Sequence, residues 1–74
     1  MKIRNKTTGE EFTSTVFNGE HELVTLDGNG VHHITMRGTS FEIALGTVIL
    51  VADDGHISLQ HPSVMGDYED VPEA

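Results

Sequence analysis

Five histidines and twelve carboxylates are the groups in this chain with chemistry to offer. A metal site would need several of them converging at about 2.0–2.2 Å on one ion. His32 and His33 are adjacent, and adjacent side chains on a strand point to opposite faces, so these two cannot chelate together. His21 could meet either of them across a hairpin with Glu22 close by, but no H-x-H or H-x-x-x-H spacing supports it. His56 and His61 complete the set. All five read as solvent-facing or half-buried strand residues, and no metal or other cofactor is expected.

Other catalytic and binding patterns fail on inspection. Asp27-Gly28-Asn29-Gly30 opens like a calcium loop, but the twelfth position holds Gly38 where that loop needs a glutamate. A turn explains it better. Ser14, Ser40, Ser58 and Ser63 lie in no G-x-S-x-G elbow, and no G-K-[ST] phosphate loop exists. Pairs of carboxylates can be chosen freely from twelve, so without geometry they carry no signal. The expectation is a protein that is not an enzyme.

Charge is the strongest compositional fact. Twelve acids against four bases give −8, and three of those bases are Lys2, Arg4 and Lys6. From Thr7 onward stand twelve acids and one base, Arg37. Such a surface repels nucleic acid phosphates and anionic lipid, and attracts a basic protein surface. At period two, Lys2, Arg4 and Lys6 share one face of a first strand. They read as a charged edge that blocks strand addition, or as a ridge along which an acidic segment could lie. Exposed pairs of that kind contribute only about 0–1 kcal/mol each.

These groups must be held by elements built from 74 residues, one domain that buries only about 60% of its unfolded surface. Without cysteine there are no disulfide staples, thiolate zinc sites or thiol nucleophiles, so self-association is one route to extra stability. Thr47–Ala52 falls far short of the roughly 20 apolar residues that span a bilayer. The start, Met1 to Lys6, leads into polar residues with no signal-peptide core, which predicts a soluble, cytoplasmic chain.

Eight glycines divide short runs rich in Thr, Val, Ile and Phe, the pattern of an antiparallel all-β domain. The expected strands are 2–7, 11–17, 21–26, 31–37, 41–45, 47–52 and 56–59. The first two flank T-T-G-E, and D-G-N-G at 27–30 joins the third and fourth. Phe41, Ile43 and Leu45 alternate as a half-buried strand requires, while 47–52 is apolar on both faces and suits a central position. A helix over 40–51 is disfavoured by Gly46 and the β-branched run after it. Six or seven strands predict a small antiparallel barrel or rolled sheet over 1–65, with one helical turn starting at Pro62. Residues 66–74, acidic and with Pro72, predict a flexible tail.

The two ends carry a resemblance. M-K-I-R-N-K-T-T-G-E resembles the start of many small proteins encoded by phages and prophages of Gram-positive bacteria. Gly66-Asp67-Tyr68-Glu69-Asp70-Val71-Pro72-Glu73 is similar to the acidic, aromatic segment with which those proteins often close, here with a tyrosine and no tryptophan. The resemblance covers about ten residues at each end. It implies a bacterial host and its cytoplasm, no activity, and no site residues.

The expected function is a phage-type interaction module whose carboxylates meet Lys and Arg on a host protein, in the manner of a DNA mimic. Glu20, Glu22, Asp27, Glu42, Asp53 and Asp54 on strands and turns would carry the contact. Asp67, Glu69 and Asp70 would add to it from the tail, with Tyr68 as an aromatic anchor. The alternative is a small structural subunit that self-assembles in a virion or larger complex.

Overall fold

Val48-Ile49-Leu50-Val51-Ala52 carries no polar side chain, and such a strand is stable only where both of its faces are covered. In the computed structural model, which describes residues 1–72, this segment is a strand at the centre of the molecule. The elements run β1 (Lys2–Asn5), β2 (Glu11–Val16), β3 (Val24–Leu26), β4 (His32–Met36), β5 (Thr39–Glu42), β6 (Val48–Ala52) and β7 (Ile57–Gln60). A 3-10 helix over Pro62–Asp67 and β8 (Tyr68–Asp70) complete the chain. One sheet has the order β7-β6-β2-β1-β8 and the other β3-β4-β5, with every pairing antiparallel.

The two faces of β6 feed two cores. Val48, Leu50 and Ala52 join Ile3 and Phe12, under Met65 of the 3-10 helix and Tyr68 of β8. Ile49 turns the other way, into a cluster with Phe17, Ile34 and Ile43, flanked by Val24 and Met36 of the smaller sheet and by Val51, Ile57 and Leu59. The register Ile3↔Phe12↔Ala52 sets this division, because paired residues share a face.

The mainly β, antiparallel class is as the glycine-divided pattern predicts, and the helical turn lies where Pro62 places it. Several boundaries differ. β1 stops at Asn5 because the Asn5 side chain accepts the Thr7 and Thr8 amides at 2.8 and 3.0 Å, turning the chain early. The third strand starts only at Val24, because His21 Nδ1 accepts the Leu23 amide at 3.1 Å and bends residues 21–23. The fourth strand ends at Met36 and not at Arg37, because Arg37-Gly38 form a two-residue hairpin turn between Met36 and Thr39 in which both residues have positive φ, 53° and 78°. Of the alternating Phe41, Ile43 and Leu45, only Ile43 is buried. β5 is an edge strand, and Gly46 at φ 90° turns the chain and leaves Leu45 outside.

Two larger differences concern the acidic end. Where charge density predicts a loose tail, Tyr68–Asp70 form an eighth strand. It is paired through Ile3↔Asp70, Arg4↔Glu69 and Asn5↔Tyr68, and flanked by Lys6 N–H to Asp67 O at 2.8 Å and Val71 N–H to Lys2 O at 3.0 Å. Backbone pairing and the Tyr68 ring, edge-on to Phe12 at 6.2 Å, supply what the charges do not. The last two residues of the expected tail lie outside the described residues. β1 is consequently an interior strand and not the charged edge its alternating bases suggest.

Two outcomes test this packing. Leu50 is fully buried, so Leu50→Ala should cost about 2–5 kcal/mol in urea unfolding followed by circular dichroism. A loss below about 1 kcal/mol would mean that β6 is not the shared core strand. Arg37→Asn relieves a left-handed residue and creates the preferred Asn-Gly turn, so it should stabilise by about 0.5–1 kcal/mol and raise Tm by about 2–8 °C.

Candidate protein-binding surface

Bases on the interior strand β1 meet acids from both sides. Arg4 stands opposite Glu11 on one neighbour and Glu69 on the other, and its Nε lies 3.3 Å from Glu69 Oε1. Lys2 Nζ lies 3.1 Å from Asp53 Oδ1 and 3.8 Å from Glu11 Oε1. The hydrogen bond that Lys2 donates to Asp53, with the charges of Asp53 and Glu11, raises the Lys2 pKa above its ordinary value. Lys6 Nζ donates to the Gly66 carbonyl at 3.3 Å. The ridge and the acidic segment therefore lie along one another within one molecule. Glu20, Glu22, Glu42, Asp67 and Asp70 make no ion pair among the described residues.

The pairing of β2 with β6 brings four carboxylates around one shallow concavity of about 240 Å³, lined by Glu10, Glu11, Ala52, Asp53 and Asp54. Asp53 and Asp54 belong to the expected contact set. Glu10 and Glu11 do not, since forty residues of sequence separate them from the β6–β7 turn and only strand pairing joins them. Asp54 Oδ1 accepts the His56 amide at 3.0 Å and lies 3.1 Å from His56 Nδ1. The His56 amide, then its ring, lowers the Asp54 pKa. His56 Nε2 lies 3.8 Å from Glu10 Oε2, and its ring stands edge-on to Phe12.

A second acidic patch forms on the smaller sheet. Asp27 Oδ1 accepts the Asn29 and Val31 amides at 2.8 and 3.0 Å, and Asp27 Oδ2 lies 2.8 Å from His33 Nε2. The His33 contact, then the two amides, pulls the Asp27 carboxyl down to about 2. Glu42 stands opposite His33 in the ladder. His32 points the other way, edge-on to Phe17 with centroids 5.0 Å apart, so the adjacent histidines do occupy opposite faces. His61 caps the 3-10 helix by accepting the Ser63 amide at 3.1 Å. Among the described residues, no three His, Asp or Glu side chains converge as a metal site requires.

The remaining members of the contact set are dispersed. Glu20 and Glu22 are exposed on the bend before β3, and Asp67 ends the 3-10 helix. Glu69 and Asp70 are exposed on β8, whereas Tyr68 is half-buried against Phe12 and is not a free anchor. The structure thus gathers Asp53 with Asp54 and brings Asp27 and Glu42 to either side of His33, whereas Glu69 and Asp70, adjacent on β8, take opposite faces, so the set does not form one row. Comparisons with protein-family models, with curated proteins and with solved structures return no match. Among the described residues, no helix is long and apolar enough to cross a membrane.

The lowered Asp27 carboxyl gives a pH test. A carboxyl depressed on folding stabilises the fold above its ordinary pKa of 3.8, and that contribution disappears as pH falls towards about 2. Asp27→Asn keeps the shape and loses the charge, so its Tm should fall below that of the unaltered protein at pH 5. The two should converge between about pH 4 and pH 2 in thermal melts.

Proposed function

We propose that this protein is a non-enzymatic interaction module that binds a basic surface on another protein. The observation carrying this reading is the fate of the bases. Lys2 and Arg4 are held in ion pairs by Asp53, Glu11 and Glu69, and Lys6 by the Gly66 carbonyl, so the surplus carboxylates face solvent without cations beside them. Carboxylates fixed on strands and tight turns keep their spacing, as a row of phosphates does, and they steer a basic partner in by long-range attraction. The contact is assigned to Glu10 and Asp54 at one patch, beside the Lys2-paired Asp53, with Asp27 and Glu42 at the next. A host factor's DNA-binding face has the complementary charge, and the phage-like ends of the chain fit action in a bacterial cytoplasm. Nucleic acid and anionic membranes are repelled by the same field.

Charge reversal tests this. Immobilised protein should retain basic host proteins at about 0.05 M salt and release them at about 0.5 M, because screening shortens the reach of the field. Glu10→Lys with Asp54→Lys should lower the retained amount several-fold. Retention of nothing basic at low salt would leave the carboxylates a solvation role only.

A further inference from the structure

One surface of the five-stranded sheet joins apolar lining to acidic charge. A groove of about 300 Å³ opens between Ile3, Val16 and Val48 of the sheet and Pro62, Met65 and Tyr68 of the last segment. Val16 is 60% exposed although its β6 partner Val48 is buried, so the apolar ladder continues to the surface inside the groove. Among the described residues lining the groove, the charged side chains are Glu69 and Asp70, and the Met1 amino group beside them donates to the Ser14 carbonyl at 3.3 Å. Glu69 is paired with Arg4, which leaves Asp70, opposite Ile3 in the ladder, without an ion pair among the described residues. Lys2 and Arg4 alternate with Ile3 along β1 and so take the opposite face.

We propose that this groove seats an aliphatic side chain of a protein segment with lysine or arginine beside it. The inference rests on the function proposed above and gives that partner an apolar anchor. An apolar side chain leaves water between Val16, Pro62 and Met65, and its basic neighbour meets Asp70. A second copy of this chain fits poorly, since it brings the same −8 and sets carboxylate against carboxylate. Anionic lipid is repelled for the same reason.

The test titrates the nitrogen-15-labelled full chain with three hexapeptides, K-K-L-L-K-K, K-K-S-S-K-K and E-E-L-L-E-E, at about 0.05 M salt. The first should move the amides of Val16, Val48, Met65, Tyr68 and Asp70, and bind at least about tenfold tighter than the second. Val16→Lys should abolish that gain, and Asp70→Asn should weaken it about threefold. If Val16→Lys lowers the melting temperature, Val16→Ser tests the same contact at this exposed position. Equal binding of the two lysine peptides, with shifts around Glu10, Asp53 and Asp54, overturns the groove and leaves the acidic module standing. Equal binding of E-E-L-L-E-E and K-K-L-L-K-K overturns the charge pairing. Shifts at the groove amides that grow with protein concentration alone assign it to a second copy and overturn the proposal. No shift with any peptide overturns both the groove and the acidic module.

Discussion

Both cores of this protein are built on the same five residues. Val48, Leu50 and Ala52 enter one cluster, and Ile49, with Val51 beside it, enters the other. A five-stranded sheet of such short strands has two faces and cannot leave either wet along β6. The smaller sheet covers one face, and the 3-10 helix with β8 covers the other. Each cover has little apolar area of its own: Met65 and Tyr68 on one side, chiefly Val24, Ile34 and Met36 on the other. Loss of either cover would expose half of β6, at roughly 1.5–3 kcal/mol for each large side chain uncovered. In a chain that buries only about 60% of its surface, that coupling makes the small elements as necessary as the large sheet.

The charge distribution follows from the same topology. Pairing β8 with β1 sets an acidic strand beside the only basic one, and pairing β2 with β1 sets Glu11 on its other side. Opposite charges across a ladder contribute about 0.2–1 kcal/mol per pair, and like charges there oppose pairing. A chain with twelve acids has few places to put a carboxylate strand without repulsion, and beside Lys2 and Arg4 is such a place. The bases thereby hold the sheet together and leave the rest of the carboxylates unopposed. The histidines take related local tasks: His56 and His33 approach Asp54 and Asp27, while His21 and His61 accept backbone amides.

Local chemistry explains what the sequence makes legible. The D-G-N-G hairpin, the turn before Gly9, the central position of β6 and the start at Pro62 all follow from residues within a few positions of one another. The opposite faces of His32 and His33 follow from strand alternation alone. What was not legible depends on partners distant in the chain. The acidic end looks like a tail because composition counts its charges and not the backbone of β1 it will pair with, more than sixty residues away. Glu10 and Glu11 give no sign of joining Asp53 and Asp54 until β2 and β6 are in register. Phe41 and Leu45 alternate correctly for a buried strand, but alternation cannot say that β5 ends a sheet.

Edge protection links this architecture to recognition. The five-stranded sheet ends in β8, which carries Glu69 and Asp70, and in β7, Ile57-Ser58-Leu59-Gln60, which carries no charge. An uncharged open edge invites strand addition. Net charge alone protects it weakly, because at physiological salt the field decays over about 8 Å while the molecule measures 40 × 23 × 22 Å. Protection must therefore be local, and Asp53 and Asp54 supply it at the turn where β7 begins. A second copy, acidic at its own turns, meets repulsion there. The basic segment proposed above as partner would meet attraction at the same carboxylates, so one set of charges would both discourage self-pairing and admit it.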